Sequence, residues 1–306
     1  MSPRLACLVA AALVLAACSD GRGADEKSGR GAAASSIDPR DPLSPEAFSQ
    51  RVEQVKRKAK RLKNRNFTVV VEHPFVIAGD CGEEKVKAIA ESTVRWAREK
   101  LKQDFFAKDP ARILDIWLFK DAESYEAYVF ALTRRKPTTP YGFYSSDHGA
   151  LFMNISTGQG TLVHELVHPY VEANFPECPA WFNEGLGSLY ERPGERDGHI
   201  YGDTNWRLPG LKAAIGDARV PSFAGLTAMD ASTFYGEGSG VHYAAARYLL
   251  YYLQERGLLV PYYRAFYEAR AEDPTGYKTL VRTLGESDMA AFERRWVEFV
   301  MGLQFP

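Results

Sequence analysis

The sequence has no excess of charge of either sign. It contains 38 lysine and arginine residues against 39 aspartate and glutamate residues, a formal net charge of −1. Proteins that bind nucleic acid through a charged surface usually carry a marked basic excess. We therefore expect no nucleic-acid partner for this chain. It also lacks internal repeats and, beyond residue 18, any apolar run of the roughly 20 residues that a membrane-spanning helix needs.

Cysteine is scarce as well, with four in the whole chain, and the first two lie in a targeting segment. Residues 1–17 combine a basic start at Arg4 with an apolar run, which is typical of a secretory signal peptide. The sequence LAAC at residues 15–18 resembles a bacterial lipobox, which would make Cys18 a lipid anchor. Ser19 after it favours the outer membrane, facing the periplasm. The alternative is an ordinary signal peptide with an incidental cysteine.

The other two cysteines belong to the folded part of the chain. Residues 18–43 are rich in small and polar residues and nearly free of large apolar ones, so we expect a flexible tether there. In an oxidising compartment, Cys81 and Cys178 either form a disulfide or remain two buried thiols that never meet. A disulfide would fix the start of the segment that contains Glu184.

Hydrophobic periodicity divides the rest of the chain into two subdomains. Residues 44–191 predict an α/β subdomain, and residues 192–306 predict a polar loop followed by a helical subdomain. The expected strands are 66–77, 113–119 and 149–155, and the expected helices are 48–62, 83–106, 121–132, 242–257, 259–271, 275–284 and 287–302.

The most informative motif is His-Glu-Leu-Val-His at residues 164–168. Positions i and i+4 of an α-helix share one face, so His164 and His168 can point at the same metal ion. Glu165 lies beside them, within reach of water at that ion. This is the spacing of a zinc-protease helix, and we expect one Zn²⁺ per chain. Three other histidines of the folded part are expected not to be ligands: His73, His148 and His199.

A zinc site with an open fourth position needs a third protein ligand. Residues 181–191 read WFNEGLGSLYE, and a second helix starting near Pro179 would fold back on the first. Glu184 would then face the two histidines. Glu191, about two turns further on, would accept the free ring N–H of a ligand histidine. Three small residues would let the two helices pack closely: Gly185, Gly187 and Ser188.

The segments HELVH and WFNEGLGSLYE resemble those of the gluzincin metallopeptidases, the clan of thermolysin and the zinc aminopeptidases, and especially its small bacterial members. The resemblance is close over residues 149–191 and weaker as far as residue 248. It implies an α+β fold in which a small mixed sheet packs on the zinc-bearing helix and the glutamate helix, before a C-terminal helical lobe. It also implies that His164, His168 and Glu184 bind Zn²⁺ and that Glu165 is the general base.

The resemblance also implies a donor for the oxyanion, a tyrosine or histidine on a later helix. Tyr243 is the first choice, because its segment resembles the tyrosine-bearing helix of the zinc aminopeptidases. His242 is the second and would correspond to the thermolysin type, and Tyr235 is the third. The alternative for each tyrosine is a place in the core, since the chain has 16 tyrosines.

Three further expectations concern the surroundings of the site. By the same resemblance, strand 149–155 is the sheet edge on which an extended peptide would lie. The polar loop at residues 192–204 is expected to roof the cleft. Pro169, directly after the second histidine, departs from the clan's pattern and is expected to bend the helix just past the site.

Together these features predict a zinc endopeptidase of the bacterial cell envelope that acts on a peptide or protein substrate and is held to the membrane by lipid at Cys18. The exopeptidase signature G-x-M-E-N is absent, which favours an endopeptidase. The competing hypothesis is a lipid-anchored scaffold that kept the fold and the metal without turnover. Intact Glu165 and Glu184 favour the enzyme.

Overall fold

A computed structural model describes residues 41–62 and 66–305 of the chain. The predicted signal peptide, Cys18 and nearly all of the predicted tether lie outside the described residues. Within the described residues, no helix is both long and apolar enough to cross a bilayer.

The fold is mixed α+β, as predicted, and is built on a five-stranded sheet. The strands are β1 (Thr68–Glu72), β2 (Phe75–Gly79), β3 (Leu114–Phe119), β4 (Gly142–Ser145) and β5 (Ala150–Asn154). Their order is β1-β2-β3-β5-β4, with β2, β3 and β5 parallel and the two edge strands antiparallel to their neighbours. The single strand expected at 66–77 is in fact the β1–β2 hairpin, which turns at His73-Pro74 because proline cannot continue the ladder.

The prediction that residues 149–155 form the sheet edge is wrong. Strand β5 is covered by β4, which pairs with it from Gly142↔Met153 to Ser145↔Ala150. Strand β4 was not predicted, because its four residues begin with glycine, end with serine and include no β-branched side chain. The edge next to the predicted site is therefore β4.

The two faces of the sheet are covered by different helices, since side chains alternate along each strand. Helices α1 (Pro45–Lys60) and α4 (Ala122–Thr133) cover one face. The other face packs against a continuous helical run, predicted as one helix, that consists of α2 (Glu83–Ile89), a π-helical turn (Ala90–Arg95) and α3 (Trp96–Asp104). Helix α5 (Gly160–Asn174) packs beside it and contains the HELVH motif.

Helix α5 is not ended by its internal proline. The helix continues through Pro169 to Asn174, where Phe175 has left helical geometry. Proline at this position removes one backbone donor but leaves the rest of the helical ladder intact. Helix α6 (Ala180–Leu189) then starts after Pro179, as predicted, and packs against α5.

The predicted loop at residues 192–204 is a second hairpin, β6 (Pro193–Arg196) and β7 (His199–Gly202), and it does not roof the cleft. It packs on α3, where the buried Asp104 carboxylate accepts hydrogen bonds from the backbone of Ile200 at 3.1 Å and contacts Nδ1 of His199 at 2.5 Å. A polar composition alone does not separate such a hairpin from a loop.

The helices after the hairpin share one hydrophobic core with the sheet, so the two predicted subdomains pack as a single unit. The four last helices were predicted, and three short ones before them were not. In chain order they are α7 (Arg207–Gly216), α8 (Phe223–Thr227), α9 (Ala231–Phe234), α10 (Ser239–Glu255), α11 (Leu259–Ala269), α12 (Tyr277–Leu284) and α13 (Met289–Gly302).

Candidate metal centre

Helices α5 and α6 bring the three predicted ligands together. The rings of His164 and His168 lie 4.9 Å apart between centroids, one helical turn from each other on α5. Oε2 of Glu184, on α6, lies 3.2 Å from Nε2 of His164 and 3.8 Å from Nε2 of His168. One ligand atom from each of the three residues falls within 4.8 Å of the others.

This arrangement fits a tetrahedral zinc ion. With bonds of about 2 Å, tetrahedral ligands lie about 3.3 Å apart, close to the separations found. Oε2 of Glu184 is buried and has no hydrogen-bond partner among the described residues, although a buried carboxylate oxygen needs one. A metal ion would satisfy it. Two imidazoles and one carboxylate would leave a fourth position for water or substrate.

The side chains at this site form a dense charge cluster. Burial alone lowers the pKa of His164, but the nearby carboxylates of Glu184 and Glu191 outweigh it and raise the pKa to about 10. Burial raises the pKa of Glu184, but the two histidines lower it more, to about 2.

Glu191 lies where the sequence predicted it, behind His164. Its Oε1 is 3.4 Å from Nδ1 of His164, and Nδ1 has no aligned hydrogen-bond partner among the described residues. Two unpredicted residues hold this carboxylate. Arg207 donates to it twice, at 2.6 and 2.9 Å, and Asn205 donates at 2.8 Å. Burial raises the pKa of Glu191, but His164 and Arg207 outweigh it and lower the pKa to about 2.

The second histidine has a different partner, which sequence reasoning missed. Nδ1 of His168 lies 3.0 Å from Oδ1 of Asn183, the residue directly before Glu184. An amide oxygen accepts hydrogen bonds, so this contact assigns the proton to Nδ1 and leaves Nε2 free for a metal. The sequence did contain a signal for this contact. Asn183 directly precedes the predicted ligand Glu184 on the same helical turn, so its amide lies near the same site.

The predicted base, Glu165, is held by the sheet edge. Its Oε2 accepts a hydrogen bond from the backbone N–H of Tyr144 at 2.8 Å and lies 3.8 Å from Nε2 of His168. The backbone N–H of Asn154 donates to the carbonyl of Tyr141, so Tyr141 bonds to β5. In an antiparallel pair every second residue bonds to the neighbouring strand, so the backbone groups of Gly142 and Tyr144 point away from β5. Strand β4 thus turns the N–H of Tyr144 toward Glu165, and the backbone groups of Gly142 and the carbonyl of Tyr144 face the same side.

The three predicted oxyanion donors occupy different positions. The hydroxyl of Tyr235 donates to Oε1 of Glu184 at 2.7 Å, and its ring is half exposed in the cleft. Tyr243 also lines the cleft and is more buried. His242 is not among the cleft residues, and its Nδ1 lies 3.0 Å from the carbonyl oxygen of Phe234. Both tyrosines therefore lie in the cleft and interact with Glu184, whereas His242 does not line the cleft.

The small residues of α6 allow close packing against two helices, α5 and α10, rather than against α5 alone. A Cβ atom on Gly187 would lie 3.1 Å from Nε2 of His164, so this glycine gives the ligand ring its space. A Cβ atom on Gly185 would instead lie 3.2 Å from the Cβ atom of Ala246, so Gly185 admits α10. The carbonyl of buried Ser188 accepts a hydrogen bond from the fully buried Arg247 of α10.

Of the two alternatives for the cysteines, the structure has the unpaired one, because Cys81 and Cys178 are both free thiols. Cys81 follows strand β2, where its charged neighbours are Asp80 and Lys85. Cys178 lies in the α5–α6 turn, where burial raises its pKa and the neighbours are residues of α6, α9 and α11. Compartment and number alone were therefore insufficient to pair them.

A cleft of about 1000 Å³ contains this site. Strand β4 forms one side, helices α5 and α6 form the floor, and Trp206, Arg207, Tyr235 and Tyr243 form the other side. The three histidines predicted not to be ligands are absent from the cleft; among the described residues His199 pairs with Asp104 and His148 with Ser145.

Comparison of the chain with protein-family models gives no match. Comparison with curated proteins gives no significant match either. The geometry of the cleft therefore supplies the evidence on function.

Proposed function

We propose that this protein is a zinc-dependent peptidase of the gluzincin type. The observation that supports this most is the convergence of His164, His168 and Glu184 beside the carboxylate of Glu165. Two imidazoles and a carboxylate are the donor set of zinc sites that keep an open position for catalysis. A structural zinc site would have four protein ligands and would need no neighbouring base.

The residues of the chain would then divide the work of hydrolysis. When bound, zinc would polarise the scissile carbonyl and acidify water. Glu165 would take the proton of the attacking water and pass it to the leaving amine. The Tyr144 amide, which donates to this carboxylate, would keep it oriented. Glu191 and Asn183 would hold the rings of His164 and His168 in the tautomer that ligation needs.

Tyr235 is the proposed oxyanion donor. Its hydroxyl already reaches Glu184, so a short movement toward the cleft would bring it to an oxygen on the same side of the metal. Burial and the charge of Glu184 raise its pKa, so the hydroxyl stays protonated and able to donate. Tyr243 lies 6.3 Å away between ring centroids and is the second candidate.

Strand β4 is the proposed binding edge for the substrate backbone. The outward N–H and carbonyl of Gly142 and the carbonyl of Tyr144 would pair with an extended peptide, which is recognition by strand addition. Because such hydrogen bonds involve the main chain, they would orient the scissile bond toward Glu165 whatever the peptide sequence. An edge that runs past the base suits cleavage within a chain, in accord with an endopeptidase.

The decisive experiment combines metal analysis with cleavage of a broad peptide library. We expect about one zinc per chain and hydrolysis by the wild type. Glu165→Gln should keep zinc and lose hydrolysis, because an amide cannot accept the proton of water. Glu177→Gln, which changes an exposed carboxylate in the α5–α6 turn, is the matched control and should keep both. A zinc-loaded wild type that cleaves no peptide would favour the scaffold hypothesis instead.

The proposed location is the bacterial cell envelope, with a lipid anchor at Cys18. This rests on the lipobox-like residues 15–18 and the tether composition that follows. Cys18→Ala should move the protein from the membrane fraction to the soluble fraction without loss of peptidase activity. Incorporation of a fatty-acid label into that variant would disprove the anchor.

A further inference from the structure

Glu172 is a cleft carboxylate that the proposed mechanism does not use. It lies one turn beyond His168 and two turns beyond Glu165 on α5, on the face that lines the cleft. Its Oε2 accepts a hydrogen bond from the hydroxyl of Tyr144 at 2.7 Å. Burial and Glu172 raise the pKa of Tyr144 to about 12, so this hydroxyl remains a donor.

No cation neutralises Glu172 in the described part of the chain. The other cleft carboxylates are balanced, since Glu191 pairs with Arg207, and zinc would balance Glu184 and Glu165. Arg112 also acts on the Tyr144 hydroxyl, but its guanidinium donates to the carbonyl of Ser146 and forms no ion pair with Glu172. With the metal in place, Glu172 would be the cleft carboxylate without a counter-charge.

The wall beside Glu172 is apolar. Val171, Pro176 and Cys178 line the same end of the cleft, where α5 turns into α6. A carboxylate accepts about four hydrogen bonds, and Tyr144 supplies one. Lysine and arginine can bury their alkyl stems against an apolar surface while their charged ends pair with a carboxylate. An apolar wall next to a carboxylate without a counter-charge therefore suits a group with an alkyl stem and a cationic end.

We propose that Glu172 makes the cleft selective for substrates with an ammonium or guanidinium group close to the scissile bond. This inference rests on the proposed peptidase function and names its substrate class. Seven residues of helix separate Glu165 from Glu172, about 10 Å along the axis. An extended peptide advances about 3.5 Å per residue, so the cationic group lies within about three residues of the bond that is cleaved.

Two sources can supply such a group, and substrate design separates them. A lysine or arginine side chain makes the protein an endopeptidase with basic preference. A free N-terminal amine makes it an enzyme that removes a few residues from the end of a chain. The substrates are one peptide series with lysine, norleucine or glutamate scanned across three positions on each side of the bond, made with free or acetylated N-termini. Norleucine keeps the stem of lysine and lacks the charge.

The measurement is the ratio of kcat/KM for the lysine and norleucine peptides. We expect a preference of about two- to fivefold in the wild type, the size of an ion pair that involves an exposed carboxylate such as Glu172. The ratio should fall toward one in Glu172→Gln and below one in Glu172→Lys, which should prefer glutamate. Glu177→Gln should keep the ratio of the wild type. Raising the salt concentration should lower the preference, because screening weakens exposed charge pairs.

Peptide binding to zinc-loaded Glu165→Gln gives a second readout that does not depend on turnover. If the wild type cleaves peptides without favouring lysine or a free amine, the inference is overturned and the peptidase function stands. If Glu172→Gln and Glu177→Gln change the ratio equally, the inference is also overturned. If nothing is cleaved but binding still favours lysine, and Glu172→Gln in that background removes the preference, the inference stands and the peptidase function fails.

Discussion

The α5–α6 pair and the segment that links α6 to α10 contribute to the site in different ways. The first region supplies every proposed ligand and the base, all within 21 residues from His164 to Glu184. The second, residues 192–238, supplies Asn205 and Arg207, which fix Glu191, and Tyr235, which contacts Glu184. On the proposed function, the first region would determine which ion binds, and the second would determine how firmly it is held and how the substrate reacts.

The largest effect is expected in the first region. His164→Ala, His168→Ala or Glu184→Ala should each strip the metal, with a loss of zinc affinity greater than the roughly 100-fold that outer-shell changes reach. Elemental analysis and chelator competition measure this. His199→Ala, which removes a histidine paired with Asp104 outside the cleft, should keep zinc. Full zinc occupancy in all three ligand variants would disprove the site.

A large effect on turnover alone is expected in the second region. Tyr235→Phe should keep zinc and lower kcat by about 100- to 1000-fold, or about 3–4 kcal/mol, the range for one oxyanion donor. Tyr243→Phe should cost less, and His242→Ala should cost little, because His242 bonds to the backbone outside the cleft. Should Tyr243→Phe lose turnover while Tyr235→Phe retains it, the donor is Tyr243.

A smaller effect is expected where the two regions meet. Glu191→Gln should weaken zinc binding by about 10- to 100-fold, since a carboxylate holds the ring of His164 better than an amide. Arg207→Ala should weaken it in the same direction, because Arg207 keeps that carboxylate in place. Arg219→Ala, an exposed arginine paired with Asp217, serves as the control. Equal zinc affinities for all of these variants would show that the second region does not tune the metal.

The smallest effect concerns Asp80, a buried carboxylate outside both regions. Asp80 follows β2, and its Oδ2 has no hydrogen-bond partner among the described residues. Burial raises its pKa, so ionisation costs stability as the pH rises through the pKa of the unfolded and then of the folded chain. Asp80→Asn should stabilise the zinc-loaded protein at pH 7 by less than about 1 kcal/mol, with no gain below about pH 4.

Urea unfolding at pH 7 and pH 4 measures this difference for Asp80→Asn. A loss of stability at pH 7 would contradict the prediction. It would show that the ionised carboxylate is compensated by contacts that asparagine cannot make.

The same division explains what the sequence could predict. The ligands of α5 and α6 and the helices from residue 239 onward follow local periodicity, and the structure matches them. Arg207 reaches Glu191 because the β6–β7 hairpin between them brings the chain back to the end of α6. No local sequence pattern predicts this contact. Strand β4 has four residues, too few for a periodic signal. Tyr235 is one of 16 tyrosines, and only packing separates it from the others.

Gly187 has a consequence for anyone who judges related sequences by their motifs. The ring of His164 occupies the space that a side chain at this position would need, at 3.1 Å from a Cβ atom. A relative with a side chain there would retain both histidines and both glutamates, yet its Cβ atom would press against the ring of His164, and a bulkier side chain would press further. A complete motif is therefore a weak marker of an active enzyme. Position 187 offers a one-letter criterion for sorting working catalysts from inert descendants within such a set.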